Sequence, residues 1–198
     1  MCQLLETIKC KDGQLFNLQF HQKRFNLARK NYSGINDVIN LAQMIKIPAE
    51  CKSGLYRCRV VYDETIKKIE FLHHRYRQVK SLKLIEDNQI NYRYKFADRQ
   101  YLEKLYAQRG ECDDILIIKN GFVTDSFTAN VIFFDSYRWW TPDTPLLSGT
   151  QRARLLEEGK IFVCRITSAD ISKYQKAGLI NAMQDLQEMP VIEITNIK

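Results

Sequence analysis

Short apolar runs broken by turn residues recur along this chain, and that rhythm limits the class of fold it can adopt. The sharpest instance is Asn120-Gly121, which separates Ile115–Lys119 from Phe122–Thr124. Asn-Gly supplies the two left-handed residues that a tight hairpin requires. Lys11-Asp12-Gly13 and Asp63-Glu64-Thr65 act in the same way, giving strands at Leu4–Ile8 and Leu15–Phe20 and a hairpin of Leu55–Tyr62 with Ile66–Leu72. Further strands are expected at Asn130–Phe134, Arg138–Thr141, Leu179–Ala182 and Val191–Ile194. Helical spacing predicts helices over Gln22–Lys30, Asn36–Ile45, Asp98–Gln108, Thr150–Glu158 and Ala169–Gln175. Pro48, Gly110 and Gly159 follow three of them as stops. Strands outnumber helices and do not alternate with them regularly, so the class is α+β rather than a doubly wound parallel sheet.

A length of 198 residues allows one large domain or two small ones. The composition turns basic between His73 and Tyr94, which places a boundary there and divides the chain into 1–78 and 79–198. No run approaches the roughly 18 apolar residues of a membrane span. Residues Met1 to Glu6 carry no charged region followed by an apolar signal core, so a cytoplasmic location is expected. The net charge of +7 suits nucleic acid, a phosphate-bearing cofactor or a polycarboxylate substrate. The six cysteines are scattered without a C-x-x-C pair and the three histidines lack metal-ligand spacing, so neither a metal nor a disulfide framework is expected.

Several polar residues stand at element junctions. Lys95, between Tyr94 and Phe96, reads either as a solvated lysine or as a desolvated amine suited to Schiff-base chemistry. Ser148-Gly149-Thr150-Gln151 opens a helix, either as a simple cap or as a phosphate cradle of backbone N–H groups. Asp125 reads as a turn residue, and Arg24 as a helix-surface cation. Arg57 and Arg59 share one face of a strand. The basic stretch Arg75–Lys104, interleaved with Tyr76, Tyr92, Tyr94 and Tyr101, leaves open a nucleic-acid-binding module.

Taken in order, these segments resemble the class IV aminotransferases, the pyridoxal-phosphate enzymes of fold type IV. Leu5-Glu6-Thr7-Ile8 is similar to the family's F-E-T-[IL] strand, and His21-Gln22-Lys23-Arg24-Phe25 to its H-x-x-R-L helix start. Lys95 with Asp98-Arg99 and the Leu102 helix matches the Schiff-base lysine and the helix after it. Cys112-Asp113-Asp114-Ile115-Leu116-Ile117 resembles the strand that leads into the site. Val123-Thr124-Asp125 through Asn130-Val131-Ile132-Phe133 resembles V-x-E-x-x-x-x-N-[IL]-F, with Asp125 in place of glutamate. Thr141-Pro142 followed by Leu147-Ser148-Gly149-Thr150-Gln151-Arg152 resembles T-P…L-P-G-[IV]-[TM]-R.

The resemblance implies a two-domain fold type IV α+β architecture with a shortened N-terminal domain, the larger C-terminal domain carrying Lys95. It implies pyridoxal 5′-phosphate attached at Lys95, which also carries protons. Arg24 and the backbone of Gly149, Thr150 and Gln151 are then assigned to the phosphate, Asp125 to the pyridine nitrogen, and Thr128 and Asn130 to the cofactor's surroundings. Arg57 and Asn181 are candidates for substrate contact. Ala129-Asn130 and Asn181-Ala182-Met183 are most similar to 4-amino-4-deoxychorismate lyases, which release pyruvate and form 4-aminobenzoate. An aminotransferase for a branched-chain or D-amino acid is the same-fold alternative. A small amine or carboxylate substrate and a homodimer complete the expectation, without nucleic acid or membrane.

Overall fold

The computed structural model describes residues 2–198, which form two units. The first comprises residues 2–76 and 94–98, and the second 77–93 and 99–198. Tyr94–Asp98, which the sequence reading counts with the C-terminal domain, thus belongs to the first unit. The chain leaves that unit at Arg77 and returns for a single short segment, a long-range pairing that no local pattern announces.

In the first unit, β1 (Leu4–Lys11), β2 (Gln14–Leu15), β3 (Leu55–Tyr62) and β4 (Ile66–His73) form an antiparallel sheet in the order β2-β1-β3-β4. Alternation sends Leu4, Ile8, Cys58, Val60 and Tyr62 into one core with Phe25 and Ala28 of helix α1 (Leu18–Ser33). Large side chains buried to this degree each contribute roughly 1.5–3 kcal/mol. The strand expected to run to Phe20 stops at Leu15. Asn17, at φ 56°, turns the chain, and α1 begins at Leu18 and closes on Gly34, whose N–H reaches the carbonyls of Arg29 and Lys30.

The helix expected over Asn36–Ile45 shrinks to α2 (Leu41–Met44). Side chains of α1 capture the backbone that it would need. Gln22 bonds Ile39 O and Leu41 N at 2.9 and 2.7 Å, and Arg29 bonds Asp37 O at 2.7 Å.

Residues 94–98 cover the end of β1 that β2 does not reach. Leu5 N donates to Lys95 O at 2.8 Å and Ala97 N to Gln3 O at 2.8 Å. The Tyr94 and Phe96 rings both pack on Tyr32 of α1, with centroids 5.1 and 5.7 Å away.

The second unit holds β5 (Leu82–Glu86), α3 (Gln100–Tyr106), β6 (Asp114–Lys119), β7 (Phe122–Ser126), β8 (Asn130–Phe134), β9 (Trp139–Pro142), α4 (Thr150–Glu157), β10 (Phe162–Cys164), β11 (Lys176–Ile180) and β12 (Val191–Glu193). Its mixed sheet runs β10-β9-β8-β7-β6-β5, with β11 also pairing β8 and carrying β12. β5 and β6, and β9 and β10, pair in parallel; the other pairs are antiparallel.

The central strands are apolar on both faces, which explains their uninterrupted hydrophobic runs. Leu116 and Ile118 enter one core with Val131 and Phe133, while Ile115 and Ile117 meet Leu102 and Leu105 of α3 on the other side. Ile132 packs with Leu155 of α4. The residues expected as a helix over Ala169–Gln175 form a 3-10 turn over Ser168–Lys173, started by a Thr167–Asp170 capping box. No helix among the described residues is long and apolar enough to cross a membrane.

Candidate active site

In the first unit the polar cluster grows from β1. Glu6 sits on the same sheet face as Leu4 and Ile8, under α1, and is fully buried. A carboxylate there needs paired partners, and α1 supplies them from positions three apart on one helix face. Arg24 Nε and Nη2 donate to the two Glu6 oxygens at 2.8 and 2.6 Å, and His21 Nδ1 lies 2.6 Å from Oε2. Burial alone would raise the Glu6 pKa. Arg24 and the His21 hydrogen bond outweigh it and hold the group at about 2. Burial depresses His21 despite its acidic partner. His21 is therefore neutral, and because ionised Glu6 only accepts, the ring proton sits on Nδ1.

Lys95 Nζ belongs to the same cluster, near enough that its charge further disfavours protonation of His21. The side chain is half-buried. Arg57 is not brought to this cluster. It pairs with Lys9 in the β1–β3 register and so stands on the opposite sheet face, where its buried Nε has no hydrogen-bond partner.

In the second unit the cluster is built on β7 and β8. Asp125 pairs with Asn130 across the strands, and Asn130 Nδ2 donates to Asp125 Oδ1 at 2.8 Å and to Leu147 O at 2.9 Å. Two acceptors fix which end of the Asn130 amide is nitrogen. Leu147 N donates to the other Asp125 oxygen at 2.9 Å, so the carboxylate is held at both ends. Burial is the main influence on Asp125 and lifts its pKa to about 6, against the pull of these donors and of Arg152.

The segment from Leu147 leads directly into α4. Gly149, its N-cap residue, has ordinary extended backbone, so conformation does not demand glycine. Space does: a Cβ there would lie 1.9 Å from Asn130 Oδ1. Thr150 and Gln151 follow, both buried, at the helix start where N–H groups lack an intrahelical acceptor. Arg152 fixes this turn by donating from Nε to Thr141 Oγ1 at 3.0 Å and from Nη2 to Pro142 O at 2.9 Å.

Among the remaining expected site residues, Thr128 lies exposed in the turn between β7 and β8. Asn181 follows Ile180, the register partner of Asn130, and its Oδ1 accepts from Met183 N at 2.9 Å. Residues that the sequence reading left without a role complete both clusters. Glu6 and His21 anchor Arg24. Arg99 supports the β7–β8 turn by donating to Phe127 O and stacking on the Phe127 ring at 4.4 Å. The available signal was a lone acid in an apolar strand followed by His21 and Arg24 at helical spacing.

These residues fit a phosphorylated heteroaromatic aldehyde. The second unit offers a helix start made close to backbone by Gly149, with a buried carboxylate fixed beside it to meet a protonated ring nitrogen. The first unit offers an amine and a guanidinium.

Comparison with known proteins agrees. Residues 3–194 match the profile of the family described as amino-transferase class IV. A Haemophilus influenzae protein of uncharacterised function is 38% identical over 94% of this chain and 100% of its own length. A Schizosaccharomyces pombe protein named "Putative aminodeoxychorismate lyase" is 30% identical, with 88% of this chain and 80% of that protein covered. The crystal structure of a "putative 4-amino-4-deoxychorismate lyase" from Haemophilus somnus 129pt superposes with TM-score 0.87 at 37% identity, covering 94% of this chain and 98% of that one.

Proposed function

The chain belongs to the class IV aminotransferases, a family of pyridoxal-phosphate enzymes, and within that family we propose that it is a 4-amino-4-deoxychorismate lyase, forming 4-aminobenzoate and pyruvate. The observation that carries this reading is the Asn181-Ala182-Met183 turn. It is lyase-like in sequence, and it begins one residue beyond Ile180, which pairs in register with Asn130. The two similar proteins that bear a lyase name support it.

The proposal assigns each residue a task. Lys95 is the point of cofactor attachment, and its Nζ takes the proton from the substrate carbon that bears the amine. Arg24, with two donors turned to Glu6, keeps a fixed guanidinium for the phosphate. The α4 start, with Gly149, Thr150 and Gln151, meets the phosphate through backbone N–H groups. Asp125, one methylene shorter than the family's glutamate, is the carboxylate for the ring nitrogen. Asn130 holds Asp125, and Thr128 lies on the turn that joins them. When bound, pyridoxal phosphate supplies an electron sink conjugated to the substrate's amine-bearing carbon. Loss of that proton and expulsion of enolpyruvate from the neighbouring carbon leave an aromatic ring, so the protein's main task is orientation. Asn181 is the proposed contact for a substrate carboxylate; Arg57, on the opposite sheet face from Arg24, is not assigned one.

Purified holoenzyme incubated with 4-amino-4-deoxychorismate is expected to release 4-aminobenzoate and pyruvate in equal amounts with no 2-oxo acid added. Turnover only with an amino donor and a 2-oxo acid acceptor would assign an aminotransferase instead. Borohydride treatment and peptide mapping should place the pyridoxyl group on Lys95. The proposal includes a homodimer in the cytoplasm, and light scattering that gave a monomer at micromolar concentration would remove the first of these.

A further inference from the structure

A cavity of about 400 Å3 opens wholly within the second unit, lined by residues that the proposed reaction does not use. That volume lies within the range of small-molecule sites, roughly 300–1,000 Å3. Its rim carries two cations, Arg93 and Lys119, together with the amide of Asn91, and no lining residue is acidic. Lys119 Nζ donates to Ile90 O and is thereby held at the rim. Arg93 is exposed and has no hydrogen-bond or ion-pair partner among the described residues.

Two carboxylates close in sequence to the lining are bonded elsewhere. Asp87 accepts from Gln89 N, Ile90 N and the Tyr101 hydroxyl at 2.8, 3.0 and 2.8 Å, and Asp143 pairs with Arg165 at 2.8 Å. Neither acid is bonded to Arg93 or Lys119 among the described residues. The walls are of a different kind: Tyr92, Phe122 and Leu146 present apolar surface. A bare inorganic anion would satisfy the rim and leave those walls wet, whereas a neutral aromatic would fill the walls and leave the guanidinium unmatched.

We propose that this cavity is a second, non-catalytic binding site for a small aromatic carboxylate, its carboxylate between Arg93 and Lys119 and its ring against Phe122 and Leu146. The proposal is independent of which reaction the enzyme performs. It places a binder of flat organic acids on the Thr124 side of β7, across that strand from the side chain of Asp125. Thr124, which also lines the cavity, turns its hydroxyl to Ile117 O at 2.8 Å, whereas its neighbour Asp125 is bonded to Asn130 and Leu147.

The test is calorimetric titration of the pyridoxal-phosphate-loaded enzyme with benzoate, inorganic phosphate and benzyl alcohol. Benzoate is expected to bind at about millimolar concentration or tighter, with the other two at least roughly tenfold weaker. Arg93→Ala should weaken benzoate by about fivefold or more, the effect of losing a charge-assisted pair, with the cofactor absorbance unchanged. Lys119→Met provides a second variant with the same expected direction. Retention of wild-type affinity by both variants would overturn the proposal, as would phosphate binding as tightly as benzoate, or no heat with benzoate at about 10 mM. Loss of benzoate binding in Asn181→Ala rather than in Arg93→Ala would place the ligand at the proposed substrate contact and refute the second site.

Discussion

At the scale of single residues, two buried carboxylates show how partners decide ionisation. Glu6 gains a bidentate guanidinium and is held at about 2, so its contribution to folding is complete above its ordinary value of 4.5 and is lost as pH falls through about 2. Asp125 has neutral donors at close range, and burial lifts it from 3.8 to about 6. Its contribution is therefore complete below pH 3.8 and disappears as pH rises through about 6, a change of up to about 3 kcal/mol. Urea unfolding of the cofactor-free protein should show wild type losing ground to Asp125→Ala between pH 4 and pH 7. A pH-independent difference would contradict it. Asn130→Ala removes one donor from Asp125 and the tie to Leu147, and is expected to weaken cofactor binding by about tenfold, read from the absorbance of cofactor retained on dilution. The motif residues themselves were legible from order and spacing. What surrounds them was not, because Glu6 meets Arg24 across 18 positions and Leu147 meets Asp125 across 22.

At the scale of elements, the sequence reading succeeded where pattern and local turn agree. The Asn120-Gly121 hairpin and the β3–β4 hairpin lie where their turn residues put them, with Asn120 and Gly121 both at positive φ. It failed where a side chain from elsewhere takes over the backbone. Arg29 is the clearest agent: 1% exposed, it bonds Glu64 O at 2.9 and 2.6 Å as well as Asp37, so one guanidinium pins the β3–β4 turn and the segment after α1. Arg29→Met should cost about 1–3 kcal/mol in urea unfolding, since it takes the guanidinium donors away from the Glu64 and Asp37 carbonyls. A loss below about 1 kcal/mol would mean that water replaces those bonds at little cost. β10 escaped notice because its three residues are too short to show a period, and β5 because the adjacent apolar pair Leu84-Ile85 breaks its alternation within a basic stretch.

At the scale of the whole molecule, the charge of +7 and the return of residues 94–98 to the first unit are the informative features. Excess positive charge attracts a phosphate-bearing cofactor from a distance and is screened by salt. The rate at which cofactor-free enzyme recovers its absorbance with pyridoxal phosphate should fall several-fold between about 20 and 300 mM salt. A salt-independent rate would confine the attraction to close contact. The segment 94–98 also bears on how the chain may be cut. A fragment ending at Tyr76 leaves Gln3 and Leu5 of the β1 edge without the partners that Lys95 and Ala97 provide. Size-exclusion chromatography should find that fragment aggregated, since an open strand edge recruits other chains. Neither feature has a local signature beyond composition, which is why the sequence suggested two domains and counted this segment with the C-terminal one, whereas it pairs with β1 of the first unit.

The contact between Gly149 and Asn130 has a consequence for how such a protein can change over generations. A side chain at position 149 displaces the Asn130 amide, and a smaller residue at 130 removes one of the donors that hold the Asp125 carboxylate. Each substitution made first carries a cost. Descendants that drift freely elsewhere should therefore change these two residues together more often than singly, and a library that varies both sites at once should recover pairs whose single members bind the cofactor poorly.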